Sequence, residues 1–232
     1  MKSLQKTFDI LEYVVLRNGA SVTPTEVATA LSLNLATATR ILSELVLRGY
    51  LTHLSRKEGY IAGPMVVSLG TRQNPYERIA VAAREPITAL SVRFRRQVNL
   101  AVWNLNRRIM LCYRLEEQEM QPWDHFFFTD LWSTATGRLL LSTLNERVAV
   151  KLVKDVPALD VRRELAQIRR DGYVRFEQHG EVVIGCLVSA QGYPASAFGF
   201  GIEAAHEAEA LEAARAAAVE IRNILERPSR AY

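Results

Sequence analysis

The stretch "LSLNLATATRILSELVLRGYL", Leu31 to Leu51, decides how the front of the chain folds. Asn34 stands where it can cap a helix, and Gly49, just after Arg48, supplies a left-handed stop. Between them a helical projection gathers Leu35, Ala38, Ile41, Leu42 and Leu45 on one face. Ala36, Thr39, Arg40 and Ser43 fall on the other. A face of small residues and hydroxyls around one guanidinium lets a helix sit deep in a DNA major groove. There Arg40 takes guanine bidentately, and Thr39 or Ser43 donates to base edges or phosphates. The bland alternative is an ordinary packed helix with an incidental polar face, so the flanking sequence has to arbitrate.

Upstream, Leu4, Phe8, Leu11 and Val15 fall on a helical stripe that Asn18-Gly19 ends. "TPTE" then sets Thr23 as N-cap, Pro24 at the first helical position and Glu26 three residues after the cap. This is a capping box, with Val27 and Leu31 on the buried stripe behind it. Downstream come "YLTHL", the polar turn "SRKEG" and "YIAGP", two short strands with a basic tip. Three short helices and a hairpin in about seventy residues make a winged helix-turn-helix, which favours the DNA reading.

The charge balance points the same way. Of 29 Lys and Arg against 25 acids, residues 1 to 72 hold eight against five, so +3 of the net +4 lies at the front. Backbone-phosphate contacts are expected from Lys6, Thr23 and Thr25, and from Arg56 and Lys57 on the wing. At 49% hydrophobic the chain buries a full core. It offers no secretory leader and no apolar span for a bilayer, so a cytoplasmic protein without membrane contact is expected. Cys112 and Cys186 lie in apolar, strand-like runs and read as buried thiols, not as a disulfide framework.

From residue 73 the pattern changes. Ile79, Ala83, Ile87, Leu90 and Phe94 recur at helical spacing, with Pro86 expected to kink or restart the helix. Strands follow at "VNLAVW" and "IMLCYRLE", and then an aromatic-rich loop and strand, "EEQEMQPWDHFFFTDLWS". Helices are expected at "STATGRLLLSTL", "NERVAVKLVKDV" and "DVRRELAQIRRDG", each opened by a Ser, Asn or Asp cap. Strands "YVRF", "EVVIGCLVSA" and "ASAFGFGI" precede a long helix from Glu203 to about Arg227. Strands and helices mix without βαβ alternation, so the fold class is α+β.

The motifs "SLQKTFDILEYV", "LNLATATRILSELVLRGYL" and "GYIAGPMVVSLG", followed by "VNLAVW", "TATGRLLLSTL" and "LAQIRRDGYV", resemble the IclR family of bacterial transcription factors over nearly the whole chain. The resemblance implies a winged helix-turn-helix domain at 1–72, a linker helix at 73–96 and a GAF-like effector-binding domain at 97–232. It also implies dimers or tetramers that bind double-stranded operator DNA and answer to a small organic or aromatic acid. Where the family's reading helix commonly runs Leu-Pro-Lys-Ser-Thr-x-x-Arg, this chain has Leu33, Asn34, Leu35, Ala36, Thr37 and, at the end, Arg40.

For the effector the expected site is the opening of the "TATGR" helix. Thr134, Gly137 and Arg138 offer amides and a cation to an anion, Phe128 and Trp132 form apolar walls, and Cys186 faces them. No enzyme is expected: His53, His125, His179 and His206 are scattered without ligand spacing, and no nucleophile-base pattern appears. No cofactor or metal is expected either. "GFGIEA" at Gly199–Ala204 has dinucleotide-loop form, but the helix after it leaves no following strand for a ribose-binding acid. The remaining alternative is a GAF-like sensor or enzyme whose front domain binds protein.

Overall fold

The structure, a computed structural model, describes residues 2–70, 74–104, 107–116 and 127–227. Most of the aromatic-rich stretch, 117–126 with His125, lies outside the described residues. The chain divides into two units, Met1–Gln73 and Asn74–Tyr232.

The first unit is built from α1 (Lys2–Val15), α2 (Pro24–Ala30), α3 (Leu35–Leu47), the hairpin β1 (Leu51–Ser55) and β2 (Gly59–Ala62), and α4 (Pro64–Gly70). Its core is Ile10, Val14, Val22, Val27, Ala38, Ile41, Leu42, Leu45, Leu51 and Tyr60. The stripe expected on α1 is rotated: Leu4 and Phe8 are 62% and 53% exposed, and Ile10 and Val14 are buried in their place. A helix with apolar residues on two faces takes its orientation from what it packs on, here α3 and β2. Helix α4 was not anticipated.

Two features fix the wing. Val22 exchanges both backbone hydrogen bonds with Tyr60, at 2.9 and 2.8 Å, adding a one-residue bridge to the hairpin beside α2. Gly59 holds φ +90° where any Cβ would land on the Val22 carbonyl, so only glycine fits.

The second unit is a six-stranded antiparallel sheet in the order β5-β4-β3-β8-β7-β6. Its strands are β3 (Val98–Asn104), β4 (Arg107–Arg114), β5 (Phe127–Phe128), β6 (Tyr173–Gln178), β7 (Glu181–Val188) and β8 (Ser196–Ile202). Helices α5 (Pro75–Phe94) and α9 (Glu207–Glu226) cover one face, and α6 (Ala135–Ser142), α7 (Glu146–Leu152) and α8 (Ala158–Asp171) the other. Pro86 does not restart α5, which runs through it as one helix. The proline is buried, as are Ile79, Ala83, Ile87 and Leu90, so packing on the sheet offsets the lost backbone bond. Helix α8 begins at Ala158, two residues before the expected Asp160 cap, with Pro157 at its N-cap and no side-chain cap bond.

Gly185 on β7 and Gly199 on β8 are register partners. A Cβ on either would stand 2.8 Å from the Ala135 methyl. This glycine pair makes a depression that lets the start of α6 rest directly on the sheet. The glycines of "GFGIEA" therefore lie inside a strand at a packing contact; they do not form a phosphate-binding turn. No single helix among the described residues is long and apolar enough to cross a membrane.

Candidate functional sites

The N-terminus of α3 is held by Asn34, whose Oδ1 accepts from the Ala36 amide at 2.8 Å. Ala38, Ile41, Leu42 and Leu45 are buried beneath, and Ala36, Thr39, Arg40 and Ser43 are exposed, with Thr37 half-buried. Leu35 does not join the buried face: at the first helical turn it is 50% exposed, because the body of the domain lies under the later turns. Its apolar side chain therefore extends the exposed surface beside Arg40.

Glu44, one turn beyond Arg40, is engaged by Arg48 Nε at 2.7 Å. Arg40 takes part in none of the ion pairs among the described residues, and neither do Arg56 or Lys57. The last two sit exposed on the turn between β1 and β2, beside Glu58, which Ser55 holds through its hydroxyl. Lys6 is half-buried on α1 and Thr25 is exposed in the first turn of α2. Thr23 is already committed: its hydroxyl accepts from the Glu26 amide and donates to the Glu26 carboxylate. The capping box leaves Thr23 a structural part and passes any phosphate contact at this end to neighbouring groups.

In the second unit Thr134 caps α6, accepting from the Gly137 amide at 3.2 Å and donating to the Asp130 carbonyl. Gly137 is glycine because a Cβ there would strike the Leu131 carbonyl. The Arg138 guanidinium is engaged through two of its nitrogens. Nε donates to the Trp132 carbonyl at 2.5 Å and Nη1 to Glu164 at 2.6 Å, and the rings of Phe176 and Trp132 lie 3.7 and 4.8 Å from it. Arg138 thus clamps α6 to α8 and β6. Phe128 and Trp132 pack with the α6–α8 face.

Cys186 does not face them. Val182, Ile184, Cys186 and Val188 point to the α5/α9 side of β7, while Val183 and Leu187 point to the α6 side. Strand alternation thus puts Cys186 on the opposite face of the sheet from the two aromatics. Burial pushes both thiols, Cys112 and Cys186, up to about 12. No group of three or more metal-ligating side chains gathers among the described residues.

One residue of this face was not anticipated. Arg108, on β4, is 5% exposed, with Nη1 donating to Thr136 Oγ1 at 2.8 Å and Nη2 to Asp130 Oδ1 at 2.7 Å. Its signal lay in "RRIMLCYR", where Arg108 and Met110 share strand parity, so an inward Met110 carries the second arginine inward with it.

The geometry of the front unit agrees with an independent similarity. Residues 3–55 match the IclR helix-turn-helix domain. The front unit belongs to the IclR helix-turn-helix family. No curated protein is similar enough to the whole chain to count as a match.

Among solved structures, an IclR homolog from Microbacterium hydrocarbonoxydans, complexed with 4-hydroxybenzoate, shares 20% identity, covers 97% of this chain and 100% of its own, and superposes with a TM-score of 0.77. An IclR-type transcriptional regulator from Alicyclobacillus acidocaldarius shares 18%, covering 97% and 98%, with a TM-score of 0.72. The Thermotoga maritima IclR shares 22%, covering 97% and 99%, with a TM-score of 0.64. At these identities they establish that both units have the IclR fold. The chain thus carries an IclR helix-turn-helix domain at residues 3–55 within the fold of IclR-type regulators. Where the resemblance implies basic and hydroxyl side chains at the start of the reading helix, α3 carries Leu35 and Ala36.

Proposed function

We propose that this IclR-type protein is a ligand-responsive transcription regulator. Its α3 reads operator bases, and its second unit binds a small organic or aromatic acid. The observation that carries the first half is the exposed face of α3, where Arg40 stands outside the ion pairs of the described residues among Ala36, Thr39 and Ser43. A guanidinium with no intramolecular acceptor is free to take the guanine O6 and N7 pair, and the methyls of Leu35 and Ala36 suit thymine. Lys6, Thr25, Arg56 and Lys57 supply the phosphate contacts that set register. A homodimer would present two copies of α3 to the half-sites of an inverted repeat. In this division a DNA unit at 1–72 joins an effector unit at 97–232 through residues 73–96, whose helix α5 packs on the sheet of the second unit, in a cytoplasmic protein.

The acid class is supported by the M. hydrocarbonoxydans homolog, which holds 4-hydroxybenzoate in the same fold, and by the cationic, helix-opening setting of α6. Fluorescence anisotropy on DNA from the protein's own upstream region tests the reading. The expected result is a sequence-specific complex that weakens steeply with salt, since each neutralised phosphate releases counterions. Acid binding by the second unit with only weak, sequence-blind DNA association would overturn it in favour of a sensor whose front unit binds protein.

A further inference from the structure

Arg138, the cation expected to meet an effector, gives Nε to the Trp132 carbonyl and Nη1 to Glu164 under the Phe176 ring, and none of its buried nitrogens lacks a partner among the described residues. Arg108 differs. Its side chain is buried under the first turn of α6, with Nη1 on Thr136, Nη2 on one oxygen of Asp130, and the Phe128 ring 4.9 Å from the guanidinium carbon. Nε is buried too and, among the described residues, has no acceptor. A guanidinium grips a carboxylate best side-on, through Nε–H and Nη2–H together. Here that edge is half filled. Asp130 takes Nη2 alone and leaves the neighbouring N–H dry, which native structures rarely tolerate without a reason.

We propose that Arg108 is the receptor for the effector's carboxylate, and that Asp130 is a resident counter-ion which the ligand displaces. The inference rests on the acid-binding reading of the second unit. Three features support the exchange. Asp130 is 48% exposed on its side chain, so its carboxylate returns to water when released. Phe128 covers a face of the guanidinium, which directs an incoming anion to the edge. The Ala135 and Thr136 amides, at the first positions of α6, have no intrahelical acceptor and add positive potential beside Thr136. The class of ligand is therefore a small monocarboxylate, with Asp130 marking the position its carboxylate takes.

The test is calorimetric titration of the full chain with 4-hydroxybenzoate, benzoate and pyruvate, and with the neutral amides of the two aromatic acids. It compares wild type, Asp130→Asn and Arg108→Gln, with thermal melting in parallel. An acid is expected to bind where its amide does not. Asp130→Asn should bind it several-fold tighter and Arg108→Gln roughly tenfold or more weaker, the scale of a lost charged hydrogen bond. Asp130→Asn keeps Arg108 in place and is near the surface, so it decides the matter even where Arg108→Gln fails to fold. It should also melt lower without the acid and recover with it. Unchanged or weaker binding by Asp130→Asn overturns the proposal, as does an amide that binds as well as its acid. If a folded Arg108→Gln binds the acid like wild type, Arg108 is excluded while the acid-effector reading stands. If none of the acids binds any variant, both fall, and operator binding remains a separate question.

Discussion

Arg40 and Arg138 are the same residue in opposite circumstances. On α3, Arg40 is exposed and takes part in no ion pair among the described residues. At the start of α6, Arg138 is 13% exposed on its side chain and bound to a carboxylate, a carbonyl and two rings. A cation in water needs no partner until a polyanion arrives, and its contribution then appears as affinity. A cation in a low-dielectric core must be compensated in the folded chain itself, and its contribution appears as stability or specificity of packing. Arg40 displays its charge and Arg138 neutralises its own internally, a distinction that the net charge of +4 conceals.

The largest test of that contrast is Arg138→Met. It should leave Glu164 half-buried without its partner and destabilise the second unit by about 3 kcal/mol, read by urea denaturation, with operator affinity per folded molecule unchanged. Gly199→Ala comes next. Its methyl must push Ala135 and the opening of α6 off the sheet, at about 1–3 kcal/mol for an overpacked site. Acid binding should fall with it, since α6 carries Thr136 and, through it, the position of Arg108. A Gly199→Ala protein with wild-type stability and acid binding would show that the sheet yields and that α6 needs no such seat.

How far the sequence could see differs between these places for a physical reason. The ends of α2 and α3 were legible because caps are local: Thr23 with Glu26, and Asn34 with the Ala36 amide, are three and two residues apart. The rotation of α1 was not, because Leu4 and Phe8 are as apolar as Ile10 and Val14, and only the surfaces of α3 and β2 choose between the two stripes. Leu35 sits at the right angle to be buried, but at the end of the helix, where no neighbour reaches it. The face that Cys186 takes depends on strand parity set by the pairing of β7 with β8 and β6, which the residues around the cysteine do not reveal. Arg108 finds its partners 22 and 28 residues away, at Asp130 and Thr136, and nothing local announces them.

Arg40→Ala is the exposed counterpart of the first test. Stability should stay within about 0.5 kcal/mol, as for other surface changes, while discrimination between operator and mismatched DNA loses about 1–3 kcal/mol. Anisotropy on matched and mismatched duplexes reads both. Equal weakening on every sequence would make Arg40 a phosphate contact and move base reading to Thr39, Ser43 or Leu35. A loss of stability would mean that Arg40 is engaged within the fold, and the contrast with Arg138 would collapse.

The smallest effect expected is at Glu26, an exposed acid within a unit that presents itself to DNA. Its carboxylate accepts from the Thr23 amide at 2.6 Å and from the Thr23 hydroxyl at 2.9 Å, and these bonds hold its pKa below the ordinary 4.5. A carboxyl depressed in the folded state adds stability above its unfolded pKa and loses it as pH falls through the folded one. Glu26→Gln should therefore be less stable than wild type at pH 7 and equal to it once the pH is well below 4.5. On DNA the sign reverses. Removing a negative charge from the first turn of α2, beside Thr25, should strengthen operator binding slightly at low salt, with the gain fading as salt screens it. Opposite signs in the two measurements would show that the capping box sacrifices some attraction for phosphate to hold α2 in place. Loss in both would mean that a formed α2 N-terminus matters more to the complex than the charge it carries.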